Sequence, residues 1–356
     1  MSAFPITFSG LGLISSVGLS SEGTCAAIRA DIVRPSPIET FRTWDIDSQD
    51  EVALTGHPVR GFTDGFQGIG RWSRLGRLAL SDMLRHSGML EARERFAQAC
   101  GFILCTPEIS GDRFQFASDE VRLLALRLIA AAGLHISSTD TVTLSTGINS
   151  PLQALQLIQQ KIAAGAWQRA IILAVDSLTD EASLQWLHSA HRLKTPSSAI
   201  GIMPGEAGVC LLVEGPRRLS PRTEAVLESV AIQERAAPRA TAIQQGLVLS
   251  AAINSVLAES QAAPVGDILG NLNGEERRAL AWGMARVRIP PQRLSNTVRE
   301  TWPATSLGDT GTTSAAISLC LAARAFVRGY ARTDATLIWT LADSGAASAC
   351  VIRKWS

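Results

Sequence analysis

A chain of 356 residues, 46% of them hydrophobic and only 18% charged, can bury a large core as one large domain or two fused ones. Its net charge of +1 provides no broad attraction to nucleic acid or to an anionic membrane, so neither is an expected partner. Six scattered cysteines without a CxxC, a start lacking a signal-peptide pattern, and no apolar run of ~20 residues are read as a soluble cytoplasmic protein with reduced thiols.

Short apolar runs rich in valine and isoleucine predict buried strands at 6–14, 100–106, 141–145, 169–175 and 208–214. Helical patterns at 72–86, 119–133 and 151–164 alternate with them, which predicts an α/β fold with a largely parallel inner sheet. Residues 34–70 are long and weakly patterned, the kind of loop that carries binding. Around "GPRRLSPRTE" (215–224) the composition turns polar and proline-bearing, placing a joint between halves 1–217 and 218–356.

Beyond the joint the order recurs: strand 225–233, a helix over roughly 239–259, strand 266–272 and helix 275–286. "TSLGDTGTTSAAISLCLAARAF" (305–326) supplies a helix that is apolar all round and therefore interior, and strands at 335–342 and 348–355 follow. In each half a strand and turn feed a helix that leads to two closing strands. The chain therefore reads as an internal duplication with a central pair of buried helices.

Three segments carry a family resemblance. "ITFSGLGLISSVGLSSEGTCAAIRA" (6–30), "MPGEAGVCLLVEG" (203–215) and "SLGDTGTTSAAISLCLAARAF" (306–326) resemble the opening strand and helix, the Gly-Glu-Gly/Ala segment and the Asn-x-Gly-His-Thr turn of β-ketoacyl-acyl-carrier-protein synthases, within the thiolase superfamily. The resemblance implies a thiolase-like duplicated five-layer α-β-α-β-α fold and a homodimer. It also implies a cysteine nucleophile at the start of a buried helix and two histidines, or a histidine and an asparagine, that polarise the thioester. Here the nucleophile position maps onto Ile148, the first histidine onto Asn271 (with Asn273 nearby), and the second onto Asp309. The five histidines, His57, His86, His135, His188 and His191, all precede the second half, and no cysteine lies between Cys105 and Cys210. All three catalytic parts are expected to be missing.

Ser145, Thr146 or Ser150 could offer a hydroxyl nucleophile beside Asn149, provided a base activates it. Asp309 is the one acid at a family catalytic position, either an acid/base whose pKa burial raises or a cap on the helix that follows. Gly10-Leu-Gly12 reads as a tight turn rather than a dinucleotide loop, since the third glycine comes too late. His188 and His191 share a helical spacing suited to metal but have no third ligand, so neither metal nor cofactor is expected. "NLNGEERRALAW" (271–282) is either a partner-facing polar surface or an ordinary first helical turn, and most of the eight tryptophans are expected in the core.

The functional expectation is a non-catalytic adaptor, scaffold or assembly subunit. Its partner would be another protein, with a helper role in loading a type VI secretion effector or spike tip as the most specific form. Two alternatives stand beside it: an acyl-transfer enzyme with an altered site, using acyl-carrier protein or acyl-coenzyme A, and a silent chain-length-factor-like subunit of a ketosynthase heterodimer.

Overall fold

The computed structural model describes residues 5–110, 112–114, 116–215, 222–234, 240–261 and 264–355. The predicted joint at 217/218 and the first residue of the helix expected from about 239 lie outside the described residues. The first half runs β1 (Ile6–Ser15), α1 (Ser21–Arg29), β2 (Ser36–Asp45), β3 (Asp50–Gly56), α2 (Gly68–His86), β4 (Cys100–Cys105), α3 (Ser118–Ala131), β5 (Thr141–Leu144), α4 (Ser150–Ala163), β6 (Arg169–Ser177), α5 (Glu181–Ser189) and β7 (Glu206–Glu214). The second runs β8 (Ala225–Gln233), α6 (Ala242–Glu259), β9 (Val265–Gly270), α7 (Glu276–Arg286), β10 (Leu294–Thr301), α8 (Ala304–Leu307), α9 (Ser314–Val327), β11 (Ala335–Leu341) and β12 (Ala347–Lys354).

Ten of these strands form one sheet in the order β10-β9-β11-β12-β8-β1-β7-β6-β4-β5. The two halves repeat each other strand for strand. In the first, β1–β7 and β7–β6 are antiparallel while β6–β4 and β4–β5 are parallel. In the second, β8–β12 and β12–β11 are antiparallel while β11–β9 and β9–β10 are parallel. A short antiparallel register between β1 and β8, Ile6 opposite Leu227 through Phe8 opposite Ala225, joins them edge to edge.

Hydrophobic burial sets the layers. Side chains of α2 and α3 pack with Phe102, Leu104, Ile171 and Leu173 on the outer face of the first half-sheet. Those of α6 and α7 pack with Ile268, Leu337 and Trp339 on the outer face of the second. Between the inner faces, α1, α4 and α9 share one core with Ile103, Ile172, Leu211, Ile338 and Ile352. The result is the thiolase-like α-β-α-β-α arrangement. Strands β4, β6, β7 and β11 are among the inner strands buried along their whole length, which is why each reads in sequence as a largely apolar run. In α9 every residue from Ser314 to Phe326 is buried, and its one charge, Arg324, is paired with Glu224 at 2.8 Å and Glu22 at 3.1 Å.

Two features were not legible in the sequence. The weakly patterned 34–70 stretch contains the β2–β3 hairpin, whose residues are mostly exposed and so carry little apolar alternation. Strand β10, "LSNTVRET", closes one edge of the sheet and is nowhere fully buried. Gly10 and Gly12 lie inside β1, not in a turn. A Cβ at Gly12 would sit 2.0 Å from the Ala79 carbonyl oxygen, so this glycine lets β1 cross directly beneath α2.

Candidate functional site

The two central helices begin alike. Gly147-Ile148-Asn149 precedes α4, and Gly311-Thr312-Thr313 precedes α9, each as a single 3₁₀ turn. Both glycines have positive φ, 67° and 55°. The first helical serine on each side, Ser150 and Ser314, donates its hydroxyl back to the carbonyl of its glycine, Gly147 or Gly311. The turns meet at the centre of the molecule. They bring Ile148 and Asp309 to one small cavity of about 180 Å³, together with Arg113, Asp176, Arg192, Arg278 and Asp343.

Asp309 is buried in that cavity wall. Its Oδ1 accepts the Gly311 amide at 2.8 Å and its Oδ2 accepts Asn273 Nδ2 at 2.6 Å. Its backbone is held on both sides by the "MPGE" loop, Asp309 N to Met203 O and Gly205 N to Asp309 O. Burial pushes the carboxyl above its ordinary value, and the Arg278 charge with the two donors offsets this only in part. Asp309 therefore caps the 3₁₀ turn that leads into α9, one step outside the helix itself.

The sequence reading missed the second cap, Asp176 near the end of β6. Its Oδ2 accepts both the Thr312 amide at 2.9 Å and the Thr312 hydroxyl at 3.0 Å. Its Oδ1 takes Arg113 Nη2 at 2.7 Å, and both partners are buried. A Cβ on Gly311 would lie 2.1 Å from Asp176 Oδ2, so the glycine is required by this approach as well as by its φ. The only sequence signal was an acid at the C-terminal end of a buried strand.

Asn271 and Asn273 take different roles. Asn271 makes a two-way bridge to Leu341, donating to its carbonyl at 3.1 Å and accepting its amide at 3.0 Å, which ties the ends of β9 and β11. Asn273 is the one that reaches Asp309, and it also binds Glu275 Oε2 at 3.0 Å.

With this geometry in hand, the chain can be set beside solved structures. It is similar to the ishigamide ketosynthase/chain length factor at 17% identity and TM-score 0.71, over 99% of this chain and 100% of that one. A type II PKS ketosynthase in complex with its acyl-carrier protein, bound to the hexaketide, aligns at 13% identity and TM-score 0.78 over the same shares. A β-ketoacyl synthase from Burkholderia phymatum STM815 aligns at 14% identity and TM-score 0.75, again over 99% and 100%. The fold is that of the ketosynthases. No family model and no curated protein matches the chain. At these identities the likeness establishes the fold, and the chemistry has to be read from this chain's own side chains.

In this ketosynthase-like frame the candidate hydroxyls are bonded to groups that cannot act as bases. Ser145 Oγ pairs with Thr106 Oγ1 at 2.9 Å, Thr146 Oγ1 donates to Gln153, and Ser150 Oγ donates to Gly147 O. Asn149 is spent on the opposite strands, accepting Thr340 Oγ1 at 2.7 Å and Ser348 Oγ at 2.8 Å. Cys105 lies at the end of β4 beside Ser150, but it is fully buried and its thiol is pushed up to about 12 by burial. His57 packs behind Gly308 with Nε2 3.1 Å from Met203 Sδ, and burial lowers it to about 4. It does not line the cavity. His188 packs edge-on against Phe41.

The "NLNGEERRALAW" segment contributes to an ion-paired clasp whose Arg192, Arg278 and Asp343 line the cavity. Arg192 donates to both oxygens of Glu275 at 2.8 and 2.9 Å, and to both oxygens of Asp343 at 2.7 and 3.1 Å. Arg278, itself buried, donates to Asp343 at 2.8 Å and to the Asn271 carbonyl at 3.1 Å. Desolvation among its neighbours opposes ionisation of Asp343, whose side chain is 41% exposed, but the Arg278 and Arg192 charges outweigh it and hold the carboxyl well below the usual range. Glu275 is likewise lowered against its burial, by its Arg192 bonds and by the charges of Arg192 and Arg278.

These shifts have opposite consequences with pH. The clasp acids have depressed folded pKa values, so the stability they contribute is present above their unfolded values and is lost as pH falls through their folded ones. Asp309 is raised, so its burial costs stability increasingly as pH climbs above its unfolded value. Urea unfolding of the wild type and Asp309→Asn at pH 4, 5.5 and 7 should show the variant gaining on the wild type as pH rises. A constant difference across that range would mean that Asp309 is not held in a raised state.

Proposed function

We propose that this chain is a non-condensing ketosynthase-like subunit that acts by binding another protein. The observation that carries the reading is the state of the mapped catalytic positions. Ile148 offers no nucleophile, Asn271 is consumed by backbone bonds to Leu341, its neighbour Asn273 binds Asp309 and Glu275, and Asp309 also accepts the Gly311 amide. The neighbouring hydroxyls are bonded to a hydroxyl, an amide oxygen and a backbone carbonyl, none of which is a base, and the ion-paired Arg192 and Asp343 stand in the cavity wall. Acyl transfer through a covalent intermediate needs an activated nucleophile, and this arrangement supplies none.

The partner favoured by these observations is a ketosynthase that keeps its cysteine, in the manner of a chain-length-factor-like silent subunit. A ketosynthase/chain length factor is among the structural neighbours, whereas nothing in the site favours a secretion effector. Strand β5 supports association, because among the described residues it ends the sheet with one side unpaired, and it carries half-buried Val142 and Leu144. Self-association through the same edge is the second form of the proposal. Co-expression with the ketosynthase-like products of neighbouring genes should yield a stoichiometric complex on size exclusion. Capture of a secretion effector instead would return the reading to an adaptor, and a chain that stays monomeric with every such product would refute it.

A further inference from the structure

On the outer face of the first half, away from the site above, α2 and the end of α3 enclose a cavity of about 410 Å³. Its apolar wall includes Phe62, Leu78, Leu84, Leu90 and Leu128, and Arg74, Arg77 and Arg93 stand around it. None of its lining residues is acidic. Arg74 is engaged, donating to the Phe62 carbonyl at 2.9 Å and lying over the Phe66 ring. Among the described residues, neither Arg77 nor Arg93 forms an ion pair, and Arg93 Nε is buried without a hydrogen-bond partner. Arg93 is half-buried, so the rest of its guanidinium is the part that an anion in the cavity can reach.

We infer that this cavity is a binding site for a small amphipathic anion, an apolar chain of several carbons ending in a carboxylate or a phosphate. Three arginines with no acid among them select negative charge, and Arg suits both head groups because its planar fork matches their oxygens. The leucine-rich wall takes the chain, at roughly the gain expected for each buried methylene. The volume falls at the lower end of the ~300–1,000 Å³ typical of small-molecule sites. Twelve lining residues are fewer than the about 20–30 per side of a standard protein interface, which favours a small ligand over a docked protein helix. This inference does not depend on whether the chain is a silent subunit.

Isothermal titration of the full chain with octanoate, octyl phosphate and octanol tests it. At least one anion should bind, with octanol about tenfold weaker or worse, and the tighter anion identifies the head group. Arg77→Gln with Arg93→Gln should weaken that anion by about tenfold or more while leaving the thermal melt unchanged. Leu78→Glu, at a half-buried wall position, should abolish binding through the chain end of the site. Octanol binding as tightly as both anions, undiminished affinity in the double variant, or no anion binding at millimolar concentration would overturn the inference. So would preference for an acidic amphipathic peptide over both octyl anions.

Discussion

Asp176→Ala is expected to lower the unfolding free energy by about 3–5 kcal/mol, the usual cost of removing one partner from a buried ion pair. Both groups lie in the interior, Asp176 at 1% exposure and Arg113 at 9%. Without the carboxylate, the hydrogen bonds left to the Arg113 guanidinium among the described residues are those to the Ser183 hydroxyl and the Ser177 carbonyl, beside its contacts with the Phe114 and Trp186 rings. The Thr312 amide and hydroxyl, which both point at Asp176 Oδ2, lose their acceptor at the entrance of α9. Asp309→Ala removes one amide bond and one asparagine contact, and should cost about 1 kcal/mol as an ordinary cap does. Urea titrations of the two variants separate the roles. Equal losses would show that Asp176 is not the anchor of this turn.

Glu206→Ala should be at least as damaging, again about 3–5 kcal/mol or more. Glu206 is fully buried at the start of β7 within the "MPGEAG" segment. One oxygen accepts the Val59 amide at 2.6 Å, the Thr63 hydroxyl at 2.6 Å and Arg71 Nη2 at 3.0 Å. The other accepts Arg71 Nε at 2.5 Å. This single carboxylate therefore fastens the segment after β3 and the first turn of α2 to the sheet. Truncation would leave Arg71 charged at 6% exposure and the Val59 amide unpaired. Glu206→Gln preserves the shape but not the charge and should fall between the wild type and the alanine variant. A Glu206→Ala protein that unfolds at the wild-type urea midpoint would contradict this account of the segment.

The sequence disclosed the architecture because strands buried on both faces have to be apolar throughout, and helices with no solvent face have to be small and apolar. Strands β4, β6 and β7 and helix α9 meet those conditions. Strand β10 and the β2–β3 hairpin do not, since exposed backbone tolerates almost any polar side chain. The site was legible where chemistry follows a local motif. "GDTG" put an acid before a buried helix, where Asp309 lies, and Ile148 lies in the turn before α4. Long-range pairing was not legible. Asp176 meets Thr312 across 136 positions, and the clasp joins Arg192, Glu275 and Asp343 from three separate segments. A single arginine or aspartate has no periodicity to announce such a partner. That Asn271 bonds to Leu341 while Asn273 bonds to Asp309 likewise depends on side-chain direction, which two asparagines two residues apart do not encode.

Intact mass spectrometry and product analysis, after incubation with radiolabelled acyl and malonyl thioesters of coenzyme A and acyl-carrier protein, test the non-condensing reading most directly. The expected result is an unmodified chain, no decarboxylation and no condensed product. An acyl adduct on Ser145, Thr146 or Ser150, or turnover that disappears in Asp309→Ala, would contradict it.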